Sequence, residues 1–136
     1  MASYSVDDIR SIGSFYAPKL KSVGIRSTAA LLKRAATPKL RKELAQTTNI
    51  ESELILKWAN IADLTRVRGI AADYAELLQA AGVNTARDLA RRNALTLAGR
   101  LAEANGTKHR VALLPKEKRI ARWIKVAKAT PPGIEY

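Results

Sequence analysis

The feature that most constrains this chain is a unit of about 60 residues that occurs twice. The stretch "SIGSFYAPKLKSVGI" at 11–25 returns in similar form as "GIAADYAELLQAAGV" at 69–83. Its apolar, tyrosine and glycine positions recur 58 residues later, so that Tyr74 matches Tyr16. This spacing predicts an internal duplication and therefore a fold with pseudo-twofold symmetry.

The second half is longer than the first because it contains the extra segment "NGTKHRVALLP". For this reason Trp123 follows Trp58 by 65 residues instead of 58. The pattern predicts one compact domain over residues 1–136 with no long linker. Its predicted parts are a first repeat at 4–62, a second repeat at 63–130 and an inserted loop at 105–115.

Helix signals are dense along the chain and strand signals are nearly absent. Ser27 and Thr85 are typical N-cap residues, and Pro38 suits the first position of a helix. Gly24 is placed to end a helix in the left-handed conformation. We therefore predict an all-α bundle of about ten short helices without a sheet.

Composition excludes several classes of site. The chain has no Cys and one His, His109, which argues against disulfides, thiolate zinc sites and histidine clusters. No pair of carboxylates and no glycine-rich phosphate loop is evident. We therefore predict that the protein is not an enzyme and needs no cofactor or metal.

The N-terminal sequence "MASYSVDDIR" lacks the apolar segment of a signal peptide, and no apolar run is long enough to span a bilayer. A cytoplasmic location without membrane insertion is the resulting expectation. The formal net charge of +12 predicts attraction to a polyanion, either nucleic acid or an acidic protein, rather than to a small-molecule substrate. The alternative is a protein that is simply basic. The oligomeric state is not predicted.

The segments "IRSIGSFYAPKL" and "VRGIAADYAELL" resemble the helix-hairpin-helix motif. Over about residues 4–129 the chain also resembles a bacterial family of tandem helix-hairpin-helix proteins known only as a domain of unknown function. The resemblance implies that each hairpin offers backbone N–H groups to a nucleic-acid phosphate without reading sequence. Double-stranded DNA is the partner it implies first, with RNA as an alternative.

Each copy departs from the motif by keeping only one of its two glycines. The first copy has Ser11 and Gly13, and the second has Gly69 and Ala71. Asp73 and Glu76, the acidic residues that follow the second turn, would repel a phosphate. We therefore expect the first turn to be the stronger binding site. The alternative is that both turns are only corners between helices.

Besides the two turns, a basic region lies on the predicted closing helix at 115–129. Its apolar residues should face the core, including Trp123, which like Trp58 we predict to be a core residue rather than a base-stacking platform. The cations at i, i+4 and i+7 would line the outer face, where they would track a phosphate backbone, bind an acidic partner or simply be solvated. An amphipathic membrane-surface helix is a further alternative.

These arguments define the candidate nucleic-acid-binding residues. They are Gly13, Ser14, Phe15, Lys19 and Lys21 at the first turn, Arg66, Arg68 and Gly69 at the second, and Lys118, Arg122 and Lys125 on the closing helix. A basic cluster on the predicted third and fourth helices comprises Lys33, Arg34, Lys39, Arg41 and Lys42.

Two functional hypotheses follow from the sequence. The first is a non-catalytic protein that binds nucleic acid without sequence specificity. The second is a protein-interaction adaptor or assembly factor that docks on an acidic partner. A single cationic stripe joined to the Gly13 turn would favour the first, and scattered charge beside an exposed apolar patch would favour the second.

Overall fold

A computed structural model describes residues 3–136, and this part of the chain is helical and contains no sheet. A 3-10 helix at Val6–Asp8 precedes α1 (Gly13–Ser22), α2 (Thr28–Arg34), α3 (Pro38–Thr48), α4 (Ser52–Leu64), α5 (Ala72–Ala80), α6 (Ala86–Ala90), α7 (Ala94–Thr107) and α8 (Glu117–Lys128). The predicted all-α class is confirmed, with eight α-helices and one 3-10 helix in place of about ten helices. None of the helices within residues 3–136 has the length and apolar character needed to cross a membrane.

Side-chain caps fix where several helices begin. In each case a side-chain oxygen accepts the backbone N–H three residues later, which satisfies a donor that the helix leaves open. These N-cap residues are Ser27, Thr37, Thr85 and Asn93. At the N-terminus, Ser5 instead accepts from the backbone N–H of Asp7, and the helix there is a single 3-10 turn.

Left-handed glycines end α1 and α5 in the same way. Gly24 has φ +84° and Gly82 has φ +94°. In both, the N–H of the following residue reaches the carbonyl five residues earlier, from Ile25 to Leu20 at 3.0 Å and from Val83 to Leu78 at 2.9 Å. This hydrogen bond is that of a Schellman motif, which ends the helix and turns the chain towards the next short helix.

Packing around the two tryptophans forms the core. Helix α2 packs on α4, as α6 packs on α8, while α3 and α7 flank α4 and α8 respectively. Trp58 is fully buried and Trp123 is 2% exposed, which confirms that both are core residues and rules out base stacking on either. These matched features agree with the internal duplication, which stays a prediction.

The predicted inserted loop is shorter than its boundaries at 105–115 indicate, because α7 continues to Thr107. Buried Asn105 explains this extension. Its Oδ1 accepts the backbone N–H groups of Arg110 at 2.8 Å and Val111 at 3.1 Å, so the side chain holds the start of the loop against the helix. Sequence reasoning treated this asparagine as part of the loop, whereas it is the residue that anchors it.

The C-terminal segment returns across the first half of the molecule. The N–H of Glu135 donates to the carbonyl of Ala36, and its carbonyl accepts from Arg41 Nη2 at 2.7 Å. Arg41 is only 6% exposed, and burial lowers the pKa of its guanidinium. Its assignment to a basic surface cluster was therefore wrong: the side chain holds the C-terminal segment in place.

Candidate nucleic-acid interface

The first turn places an exposed backbone at the start of α1. Gly13 has φ +61°, a conformation that costs a non-glycine residue free energy because its Cβ crowds the backbone. Gly13, Ser14 and Phe15 are all exposed to solvent. The turn therefore brings the beginning of the helix to the molecular surface.

The first amides of α1 are open donors. Ile12 occupies the N-cap position without a side-chain hydrogen bond, and the first turn of α1 contains no acidic residue. Among residues 3–136 no acceptor pairs with the N–H groups of Gly13, Ser14 and Phe15. Together with the positive end of the helix dipole, such groups are well suited to an anion.

Two lysines lie near this turn but differ in their contacts. Lys19 Nζ lies 4.9 Å from the centroid of the Phe15 ring, so its positive charge is held against the side chain of a residue in the first turn of α1. Lys21 instead forms a 2.6 Å salt bridge with Asp7, and this hydrogen bond lowers the pKa of the Asp7 carboxyl. Lys19 is thus the more available cation of the pair.

The second turn uses a different backbone conformation. Its left-handed residue is Gly69, with φ +95°, two positions before the place that matches Gly13. Ala71, which occupies the matching place, has φ −84°. Each turn therefore has its glycine at the position where the backbone is left-handed, and the other position holds a residue with a side chain.

The two tryptophans support the two turns differently. Trp58 Nε1 donates to Ser11 Oγ at 3.2 Å, so the serine hydroxyl satisfies the indole. At the second turn, a Cβ on Gly69 would lie 3.1 Å from Trp123 Nε1, and the backbone packs directly against the indole. The serine in the first copy thus has a specific hydrogen-bonding role that the sequence did not reveal.

Acidic residues of α5 face the first turn. Glu76 Oε1 accepts the backbone N–H of Arg10 at 2.7 Å, and Asp73 Oδ1 lies 3.5 Å from Arg10 Nε. The two turns are therefore neighbours in space. The local sequence pattern predicts only repulsion from these carboxylates and carries no signal for a contact over 66 residues.

The three candidates at the second turn have different surroundings. Arg66 pairs with Asp63 at 2.7 Å and donates to the carbonyl of Pro131, and its side chain is only 12% exposed. These internal bonds occupy its guanidinium, which makes Arg66 a poorer phosphate contact than the exposed Arg68. Arg68 and Gly69 are exposed. The open amides of α5 lie beside the carboxylate of Asp73, which disfavours an anion there.

The basic row on α8 lies on the outer face, as the spacing indicates. Lys118, Arg122 and Lys125 are exposed, while Trp123 and Ile124 are buried on the opposite side. Arg119 packs over Tyr74, with its Cζ 4.9 Å from the ring centroid, and is therefore not part of this exposed row. The row is therefore a continuous exposed cationic edge.

Most of the positive charge is not neutralised by nearby carboxylates. Four salt bridges form among residues 3–136, namely Arg10–Asp73, Lys21–Asp7, Arg66–Asp63 and Arg92–Asp88. The sequence contains 24 Lys and Arg residues, so a strong positive field remains around the molecule. Such a field raises the encounter rate with any polyanion.

Comparison with known proteins gives a family and no activity. A family model described as a domain of unknown function, DUF4332, matches residues 10–130, which is most of the chain. The chain belongs to this family. No curated protein and no solved structure shows a significant match.

Proposed function

We propose that this protein is a non-catalytic nucleic-acid-binding protein whose first turn, a helix-hairpin-helix turn, binds a backbone phosphate. The observation that carries the proposal is the set of open N–H groups at Gly13, Ser14 and Phe15, on an exposed helix start without a cap or an acidic residue. Binding through the backbone does not read bases, so the interaction is independent of sequence.

The flanking cations extend the proposed contact. Lys19 lies against the Phe15 ring, and the exposed row on α8 together with Arg68 offers further positive charge. Each phosphate neutralised by a lysine or arginine releases counterions, so the affinity falls steeply as salt rises. Duplex DNA is the proposed first partner.

The test is fluorescence anisotropy of labelled duplex DNA, single-stranded DNA and RNA across a salt series. Ser14→Asp is the decisive variant, because a carboxylate in the first turn suits the helix dipole and preserves stability while it repels a phosphate. Thr96→Asp places the same charge at the exposed first turn of α7 and serves as the matched control.

We expect Ser14→Asp to weaken binding roughly tenfold, since one or more charge-assisted hydrogen bonds are lost. The Thr96→Asp control should weaken it only by the small amount expected from the lower net charge. Equal losses in the two variants would contradict the proposal, as would binding by the wild type that does not depend on salt.

A second candidate function is docking on an acidic protein. The carboxylates of Asp73 and Glu76 contact Arg10 beside the first turn, where they reduce its attraction for a phosphate. None of the four salt bridges among residues 3–136 involves the α8 row. Competition distinguishes the two functions. If polyglutamate displaces the protein from DNA equally well per charge, and Ser14→Asp has no effect, the adaptor function is favoured.

A further inference from the structure

Phe15 is a large apolar side chain that the fold leaves in solvent. It is 67% exposed, although its chain neighbour Tyr16 packs against the core. A single exposed apolar residue needs no special explanation by itself. The surroundings of this ring, however, distinguish it from other exposed apolar side chains.

The ring is held by a chain of aromatic contacts that begins in the core. Phe15 packs edge-on against Tyr16 with centroids 4.9 Å apart, and Tyr16 packs in turn against buried Trp58 at 5.1 Å. Trp58 is fixed by its hydrogen bond to Ser11. A ring supported in this way loses little conformational entropy when it binds a flat partner.

The ring also lies among groups that suit a nucleotide. Its own N–H group is one of the open donors of α1, and Lys19 Nζ stands 4.9 Å from its centroid. A phosphate at the amides would bring the attached nucleotide close to the ring. Aromatic side chains stack on the faces of bases irrespective of sequence, provided that the base is unpaired.

We propose that Phe15 stacks on an unpaired base adjacent to the phosphate that the first turn binds, so that the protein favours nucleic acid with bulged or single-stranded positions. This inference rests on the proposed function. The second turn lacks the feature, because Asp73 occupies the place that matches Phe15. The preference therefore belongs to the first turn alone.

The test compares two labelled DNA duplexes that differ only by one bulged 2-aminopurine, with anisotropy for affinity and 2-aminopurine emission for stacking. Phe15→Ala removes the ring, Phe15→Leu keeps an apolar side chain without a π face, and Phe15→Tyr retains stacking. Leu95→Ala is the matched control, because Leu95 is also 67% exposed and lies in the first turn of α7.

We expect the wild type and Phe15→Tyr to bind the bulged duplex about tenfold more tightly than the perfect one, with a change in 2-aminopurine emission. Phe15→Ala and Phe15→Leu should bind the two duplexes with equal affinity, whereas Leu95→Ala should keep the preference for the bulged duplex. A preference that survives in Phe15→Ala, or is absent from the wild type, overturns stacking but leaves phosphate binding intact. Wild type that binds neither duplex overturns the proposed function and this inference together.

Discussion

The two turns of this molecule differ in where the backbone becomes left-handed. In the first turn this residue is Gly13, at the start of α1, where a Cβ would meet no atom within 4 Å. In the second it is Gly69, where a Cβ would lie 3.1 Å from Trp123 Nε1. Both glycines are exposed, but a Cβ on Gly13 would point into open space, whereas a Cβ on Gly69 would meet the buried indole of Trp123. The difference is consistent with the proposal that the first turn binds a phosphate, while the glycine of the second turn serves packing.

The charges around the two turns differ in the same direction. The first turn of α1 contains no acidic residue, while the first turn of α5 contains Asp73, whose carboxylate also lies 3.5 Å from Arg10 Nε beside the first turn. At the second turn, the guanidinium of Arg66 is occupied by Asp63 and by the carbonyl of Pro131, so less positive charge is available there. We therefore expect the polyanion to bind at the first turn, while the second turn contributes packing.

The largest expected effect comes from alanine at the two glycines. Gly69→Ala should lower the free energy of unfolding by about 2–3 kcal/mol, because the left-handed backbone and the close indole both oppose a Cβ. Gly13→Ala should lower it by only about 1 kcal/mol, since only the backbone is strained. Urea unfolding followed by circular dichroism measures both values. Equal losses would contradict the proposed division between packing and binding.

The next effect concerns the serine that replaces a glycine in the first turn. Ser11→Ala removes the acceptor of the Trp58 indole and should lower the free energy of unfolding by about 1–2 kcal/mol. Chemical denaturation provides the measurement, with Ser14→Ala as an exposed serine-to-alanine control. If the two variants unfold alike, the hydrogen bond to Trp58 does not contribute to the stability of this turn.

A smaller effect is expected from releasing Lys21. The hydrogen bond with Lys21 lowers the pKa of Asp7, so this carboxylate stays ionised near neutral pH. A change of pH therefore does not separate the pair, and a mutation is needed. Asp7→Asn should free the ammonium for a phosphate and raise DNA affinity about two- to threefold, with a steeper salt dependence. Asp8→Asn has the same charge change without the salt bridge and is the control. The account is weakened if both variants bind alike.

The smallest effect concerns the C-terminal segment that occupies Arg66. Tyr136 is 69% exposed as a residue, but its hydroxyl donates to buried Asn60 at 2.8 Å. Partial burial of that group, together with the charges of Asp63 and Asp88, raises the pKa of Tyr136. A raised pKa favours the protonated form in the folded state, so its stabilising contribution is complete below pH about 10 and is lost as pH rises further.

This contribution should stay below about 0.5 kcal/mol because the ring is largely solvated. Urea unfolding of the wild type and Tyr136→Phe between pH about 8 and about 11 tests the expectation. The wild type should lose slightly more stability than the variant across this range. Parallel curves would show that the hydroxyl does not hold the segment.

Local sequence patterns predicted much of the fold. The N-caps Ser27 and Thr85, Pro38 at a helix start and Gly24 after α1 act within one turn of the chain, so their effects can be predicted from neighbouring residues alone. The burial of Trp123 followed from helical spacing. By contrast, the burial of Arg41 depends on a carbonyl 94 residues away, and no local signal indicates it.

The candidate site was predictable only in part. The exposure of the α8 row agrees with the pattern, because the row lies on a face that helical periodicity defines. The Gly13 turn was singled out by the resemblance to a hairpin motif and not by periodicity. The contact of Arg66 with the carbonyl of Pro131 and that of Arg10 with Glu76 depend on how distant parts of the chain pack. Repeat spacing also concealed the shift of the left-handed residue, since it aligns side chains and not backbone angles.

The most direct test of the central claim is an NMR titration of the 15N-labelled protein with a short DNA duplex at low salt. The account predicts large downfield shifts of the Gly13, Ser14 and Phe15 amide protons, while the amides of Ala72, Asp73 and Tyr74 change little. The same titration of Ser14→Asp should abolish the shifts of α1. Equal shifts at both helix starts, or changes confined to α8, would contradict the claim that the first turn is the phosphate-binding element.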